Sequence, residues 1–296
     1  MANVILRSRG RLLAFVAFTV AAAWYPAIVA QEPASKPAAH QALSDAEIER
    51  FLKTARVVRT RSASKGVTNS IRATLTDGTI THDAQIQTID ERRNTGPSPQ
   101  GTEMNFRDSW MFNIAGYKLD RLIGMNLVPV SVERRHQTSP AAFTWWIDDV
   151  QMDEAERLKK KVTSPRPADW NEQIQMVRVF DQLIYNMDRN LGNLLITNDW
   201  NIWAIDHTRA FRLHKTLKTP ENVTRCDRQM FERLKLLDKD TLTREIGKYL
   251  APWEIDALLV RRDLIVARLE KAGPGALFDR RDGRTLTALA TSGTVR

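Results

Sequence analysis

Cysteine is almost absent: the 296 residues contain one, Cys226. An internal disulfide is therefore excluded, a folded domain must rely on its apolar core, and the isolated thiol reads as a small buried apolar residue rather than a nucleophile. Acids are absent from residues 1–30, whose only charges are Arg7, Arg9 and Arg11. Those three belong to a formal net charge of +9, so the remainder of the chain keeps +6. No arginine-rich run with interleaved aromatics occurs, which sets nucleic acid aside as a partner and leaves the basic balance as a cationic envelope or a contact for an anionic surface. Disorder is excluded as well, because 43% hydrophobic and 27% charged residues allow a substantial core, enough for one or two domains.

The N-terminus reads as an export signal: Arg7 to Arg11 form a basic start, Leu12 to Ala23 an uncharged apolar stretch, and Ala27-Ile-Val-Ala30 offers small residues for cleavage. Cleavage after Ala30 is expected, giving a signal peptide over residues 1–30 and a periplasmic or secreted body. The competing reading is an uncleaved anchor, since Leu12 to Ala30 is 19 residues without charge and ~20 span a bilayer. Pro26 and the Trp24-Tyr25 pair make that span a poor one. In both cases the body faces the non-cytoplasmic side, and membrane contact is expected only through such an anchor.

Residues 31–43, rich in Ala, Pro and Ser, read as a linker. Ser44-Asp-Ala-Glu47 is a capping box, with an apolar stripe of Ile48, Phe51, Leu52 and Ala55 behind it. Ser70 to Ile89 alternates as a hairpin turned at Asp77-Gly78. Just before it, Lys65-Gly66 lies in a small-residue loop that reads equally as a cover for phosphates or as an ordinary strand entry. Residues 92–101 are expected as a Pro/Gly-rich surface connection, and Phe106 to Gly124 as a helix stopped by its glycine. Two strands, Leu127 to Val132 and Ala142 to Ile147, are expected with Ser139-Pro140 in their turn. The acidic run from Asp148 followed by Lys159-Lys-Lys161 reads as a solvated helix face. A long helix from Asp169 to about Asn186 carries a wide apolar stripe, and three more are expected over residues 230–237, 242–249 and 253–271. Residues 273–296 read as a disordered tail.

The most informative stretch runs from Phe180 to Phe211 and sets two carboxylates and an amide at the spacing of a phosphoryl-transfer site. The long helix delivers Asp188, Asn193 follows five residues later, and Asp206 thirteen after that. Leu194-Leu-Ile196 and Ile202-Trp-Ala-Ile205 read as short strands joined by Thr197-Asn-Asp-Trp-Asn201, a hairpin that returns Asp206 beside Asn193. A triphosphate repels an incoming nucleophile. Hard oxygen ligands must therefore hold Mg²⁺ or Mn²⁺ against the phosphates while a separate carboxylate orients the attacking hydroxyl. Asp206 and Asn193 supply ligands and Asp188 the base. The plainer reading gives both Asp residues helix-ending and hairpin-closing roles. His207 reads as a strand-end residue rather than a ligand.

From Gly66 to about Leu269 the chain resembles the atypical branch of the protein-kinase-like superfamily, which groups HipA-type kinases, phosphatidylinositol kinases and secretory-pathway kinases. The resemblance is carried by Asn186-Met-Asp188-Arg-Asn190, by Ile205-Asp206-His-Thr-Arg-Ala-Phe211, and by Asn113-Ile-Ala-Gly-Tyr-Lys-Leu-Asp-Arg-Leu-Ile-Gly124 with Val128-Pro129. It implies an α+β, bilobal fold, with a small mixed, β-rich N-lobe over residues 44–150 and a mainly helical C-lobe over 151–272. It also implies ATP as nucleotide, a protein or glycan hydroxyl as acceptor, Asp188 as base, and Asn193 and Asp206 as metal ligands. Kinases carry a strand lysine that grips the α- and β-phosphates and pairs with a glutamate on the regulatory helix. Here those positions fall on Gln87 and Asn113, so both charges are missing; Lys65 or Arg72 are the candidate substitutes. Asn190 stands where lipid kinases have a histidine, which argues against a lipid substrate. Two alternatives stay open on the same fold: nucleotidyl (AMP) transfer, and a catalytically dead pseudokinase used as an interaction module.

Overall fold

The computed structural model describes residues 43–62, 70–98, 101–187 and 189–281. The stretch expected as an export signal, the expected linker up to Ala42, the Lys65-Gly66 loop, Asp188 and the tail beyond Arg281 lie outside the described residues. Among the described residues, no helix is long and apolar enough to cross a membrane.

Helix α1 (Asp45–Thr54) starts at the expected capping box: the Ser44 hydroxyl accepts from the Glu47 amide and the Glu47 carboxylate accepts from the Ser44 amide at 2.8 Å. Its Phe51 ring meets Trp145 edge-on at 5.7 Å, seating the helix on the first sheet. That sheet combines β1 (Arg56–Ser62), β2 (Ile71–Thr76) and β3 (Thr81–Gln87) with two later strands. The β2–β3 hairpin turns at Asp77-Gly78 as its sequence predicts. Gly78 takes φ 93, and the Asp77 carboxylate accepts from the amides of Thr79 and Ile80 at 2.9 and 2.8 Å, bonds that hold its pKa below the usual range. Alternation then sorts the strands, with Ala73, Leu75, Ala84 and Ile86 buried in the core and Arg72, Thr74, Asp83, Gln85 and Gln87 falling on the opposite face.

The segment expected as a surface connection is instead a hairpin, β4 (Asp90–Ser98) with β5 (Gly101–Ser109), paired from Asp90↔Ser109 to Ser98↔Gly101. Gly96 explains the misleading composition, because a Cβ there would collide with the Phe106 ring packed against the backbone. Phe106 and Asp108 thus belong to a strand, and helix α2 (Met111–Ile123) begins five residues later than expected. Its end is as read, with Gly124 in the left-handed region at φ 71.

Strands β6 (Ser131–His136) and β7 (Ser139–Trp145) complete an antiparallel sheet in the order β1-β2-β3-β7-β6. The turn falls at Gln137, φ 53, so Pro140 lies inside β7 rather than in the turn. It is tolerated there because β3 joins β7 only from Ala142 onward.

Strand β8 (Val150–Asp153) leads into α3 (Glu154–Lys160), where the Asp153 carboxylate accepts from the Glu156 amide at 2.8 Å. Helix α4 (Pro167–Leu183) follows, then the expected hairpin of β9 (Leu194–Thr197) and β10 (Ile202–Ala204), with β8 on its open edge. The helical part closes with β11 (Cys226–Asp227), α5 (Arg228–Leu236), α6 (Lys239–Ile246) and α7 (Pro252–Ala272). The expected tail is structured as far as Arg281, for β12 (Leu277–Phe278) pairs in parallel with β11. Cys226 is buried, and burial pushes its thiol pKa up.

One core runs through both parts, including Leu75, Ile86, Phe112, Phe143, Phe180, Leu183, Leu258 and Ile265. Arg261 of α7 lies fully inside it and donates to the carbonyls of Leu183, Arg212 and His214 at 2.8, 2.8 and 2.6 Å. Burial lowers its pKa to about 10, and its three bonds fix the end of α4 against the segment after residue 211. The Phe180→Ala variant is expected to lose ~3–5 kcal/mol of unfolding free energy in urea titration. A loss well below 1 kcal/mol would mean that Phe180 does not anchor this core.

Candidate functional site

Helix α4 ends at Leu183, and Tyr185 takes φ 48 to turn the chain into the loop that carries Asp188 and Asn193. That loop is laced to the segment after β10: the Phe211 amide donates to the Ile184 carbonyl at 2.5 Å, the Met187 amide to Arg209 at 3.2 Å, and the Ile205 amide to Asn193 at 3.0 Å. Arg189 adds a side-chain staple. Its guanidinium pairs with Asp181 at 2.9 Å, donates to the Ile205 carbonyl at 3.0 Å and meets His207 Nε2 at 3.1 Å. Arginine has no acceptor, so Nε2 carries the lone pair and the imidazole is neutral. Burial, and secondarily the Arg189 charge, hold the His207 pKa well below its usual value. His207 packs edge-on against Phe180 at 5.7 Å, a structural place rather than a ligand's. Asp188 lies outside the described residues, between the anchored Met187 and Arg189.

Asp206 follows the β10 strand at φ 55, a left-handed conformation that Asp tolerates better than most side chains. Its Oδ1 accepts from Thr208 Oγ1 at 3.1 Å and, at the long distance of 3.5 Å, from Gln87 Nε2. Gln87 Oε1 in turn accepts from the Asn113 amide, and Asn113 Oδ1 accepts from the His207 backbone N–H at 2.8 Å. Both amides are buried, at 2% and 4% exposure. The structure therefore joins β3, α2 and the Asp206 segment through the two positions where the sequence lacks charge, with a neutral hydrogen bond in place of an ion pair. Neutral bonds are roughly half as strong as charge-assisted ones and bring no positive charge to a phosphate.

Asn193 ends a one-turn 3-10 helix, Leu191–Asn193, capped by the Asn190 side chain, which accepts from the Gly192 amide at 2.9 Å. Its half-buried position beside Ile205 brings it near Asp206 in the chain's return, as the hairpin predicts. Arg72, a candidate substitute cation, is already engaged: its Nε donates to Asp83 Oδ2 at 2.5 Å, and its guanidinium stacks over Trp146 at 4.0 Å. Burial pushes the Asp83 pKa up, and hydrogen bonds from Thr74 and Arg72 more than reverse this, leaving it below the usual range.

The sequence does not reveal Asp108. It lies one residue before the end of β5 and is 5% exposed, and its neighbour Ser109 donates its amide to the carbonyl of Thr208, the residue whose hydroxyl serves Asp206. Burial raises its pKa and the Asp206 charge adds to that, against the opposing influence of Thr208 and of the Arg209 and Arg212 charges. Residues 101–109 carry only Met104 and Phe106 as apolar side chains, so no alternation marked the strand that places Asp108. Among the described residues no three His, Cys, Asp or Glu side chains group as metal ligands. Carboxylate and amide oxygens together make a hard donor set, which suits Mg²⁺ or Mn²⁺ and not a thiophilic metal. Beside this junction, a cleft of about 730 Å³ opens between the β4–β5 hairpin and residues 211–214, lined among others by Tyr185, Met187, His214 and Trp253.

No protein-family model matches the chain, and no curated protein matches it. Solved structures do. A hydra Fam20 determined with sugar superposes with a TM-score of 0.61 at 14% identity, over 79% of this chain and 92% of that one. The Golgi casein kinase with Mn/ADP bound gives 0.54 at 14% identity, over 78% and 76%, and a second structure of the Golgi casein kinase gives 0.52 at 15%, over 79% and 77%. The strand-rich first half, the helical second half and these superpositions agree: the chain has the bilobal α+β fold of the atypical protein kinases.

Proposed function

We propose that the protein is an exported, metal- and ATP-dependent phosphotransferase acting on a hydroxyl of a protein or glycan. The observation that carries this reading is the lacing of the loop bearing Asn193 to the segment bearing Asp206, on a kinase fold. Asp206 and Asn193 would hold Mg²⁺ or Mn²⁺, which when bound neutralises the phosphates of ATP. Asp188 accepts the proton of the acceptor hydroxyl as its oxygen bonds to the γ-phosphorus and the bond to the bridging oxygen breaks, releasing ADP. Lys65 and Gly66 sit in the loop proposed to cover the phosphates, and Gln87 and Asn113 keep the phosphate-facing strand tied to the metal segment. The relative solved with Mn/ADP supports nucleotide and metal as cofactors, and the one solved with sugar supports a glycan among the acceptors. The cleft beside Met187, with Tyr185 and Trp253 on its walls, offers the acceptor space. Export rests on the basic-then-apolar sequence of residues 1–30.

A second reading is favoured by one observation. With Gln87 and Asn113 neutral, this pair leaves the α- and β-phosphates ungripped by charge. ATP bound in the reverse sense would then donate AMP, the acceptor oxygen bonding to the α-phosphorus as the α–β bridge breaks and pyrophosphate leaves, with the same donors in use. Incubation with γ-labelled and α-labelled ATP separates the two: label from the γ-phosphate on the acceptor fits phosphoryl transfer, and label from the α-phosphate fits nucleotidyl transfer. Neither label transferred, together with no metal-dependent ATP shift in melting temperature, identifies a pseudokinase.

The Asp206→Ala variant is expected to lose the Mg²⁺-ATP shift in melting temperature, because an amide neighbour does not hold a hard cation alone. An undiminished shift contradicts the assignment. Asp188→Asn is expected to keep that shift while turnover falls ~10²-fold or more, the scale of losing a general base. Turnover equal to the parent's removes Asp188 from the chemistry.

A further inference from the structure

Asp108 is a carboxylate for which the fold supplies no adequate partner. Its side chain is almost wholly enclosed, and Oδ1 is buried without a hydrogen-bond partner. The Ser109 amide donates to the Thr208 carbonyl at 2.9 Å, which clamps the end of β5 onto the segment that carries Asp206. The Thr208 hydroxyl donates to Asp206 Oδ1 at 3.1 Å, so this one residue binds the Asp206 carboxylate with its side chain and the end of β5 with its carbonyl. A hydroxyl has one proton, so it satisfies one carboxylate at a time. The neighbouring arginines are committed elsewhere: Arg212 to Glu103, and Arg209 to Glu103 at 3.3 Å and to the Pro97 carbonyl at 2.5 Å. Among the described residues, Asp108 joins no ion pair.

The charges of Arg209 and Arg212 act on Asp108 without pairing with it; a buried carboxylate without a direct ion pair is unfavourable, and a second carboxylate nearby makes both worse. A divalent cation between them removes the repulsion and gives the orphaned oxygen a partner. We propose that Asp108 is a further oxygen ligand of the divalent cation, presented by the β4–β5 hairpin, and that Thr208 is the positioning residue which holds the two carboxylates together. The proposal rests on the reading of Asp206 as a metal ligand. It gives the hairpin a role: through Asp108, the β4–β5 hairpin before α2 delivers a second negative charge to the site.

Mn²⁺ titration of the full chain, followed by loss of the free-ion electron paramagnetic resonance signal with and without ADP, tests it. Asp108→Asn is expected to weaken Mn²⁺ binding by at least ~10-fold, since even residues one shell removed from a metal cost that much. In EDTA the same variant is expected to melt at or above the parent temperature, because it removes a repelling charge; a merely structural aspartate would instead lower it. Asp108→Ser provides the same comparison should the amide fail to fold. Mn²⁺ affinity unchanged in Asp108→Asn or Asp108→Ser, while Asp206→Asn loses it, overturns this proposal alone. No Mn²⁺ binding by the parent protein overturns it together with the reading on which it rests.

Discussion

Asn113 makes the join on which the rest of the site depends. One buried amide donates to Gln87 on β3 and accepts the backbone N–H of His207, so strand, helix and the segment bearing Asp206 meet at a single side chain. In water such bonds are nearly neutral in free energy, but inside the core an unmatched partner is costly, and this fixes the three elements in one arrangement. The join is made without charge. On the proposed function, the charge that neutralises a nucleotide would come from a metal and from cations outside this pair, so these two amides bear on which group is transferred.

The basic balance of the chain is also partly spent inside. Arg189 staples the loop before Asn193 to the Asp206 segment, Arg261 pins the end of α4 and residues 212–214, and Arg107 and Arg212 pair with Glu254 and Glu103 in buried contacts. Arginine suits such places because its planar fork reaches several acceptors at once and stays charged. These side chains organise the junction rather than offer a cationic face to a partner.

Much of the fold was legible because local chemistry and tertiary context agreed. The capping box at Ser44, the Asp77-Gly78 turn, the Gly124 stop and the hairpin ahead of Asp206 each carry their own signal, and each appears where the residues place it. The β4–β5 hairpin was not legible: Pro97 and Gly96 read as loop, whereas Gly96 is small to admit the Phe106 ring. Edge strand β1 is mostly exposed and arginine-rich, so it shows no alternation, and β12 is two residues long and exists only through its pairing with β11. Of the site, the return of the Asp206 segment to Asn193 follows from the hairpin, and the facing of Gln87 by Asn113 follows from the kinase resemblance. Asp108 and Thr208 do not, since their meeting depends on the unread hairpin.

The central claim is that the carboxylate at Asp206 seats a divalent cation against the phosphates of a nucleotide. Crystals grown with Mn²⁺ and ADP, with diffraction collected at the manganese absorption edge, test it directly. The account predicts an anomalous peak at ~2 Å from a carboxylate oxygen of Asp206 and touching a phosphate oxygen, as expected for a hard cation. Nucleotide bound with no peak at Asp206, or manganese seated elsewhere on the protein, would contradict it.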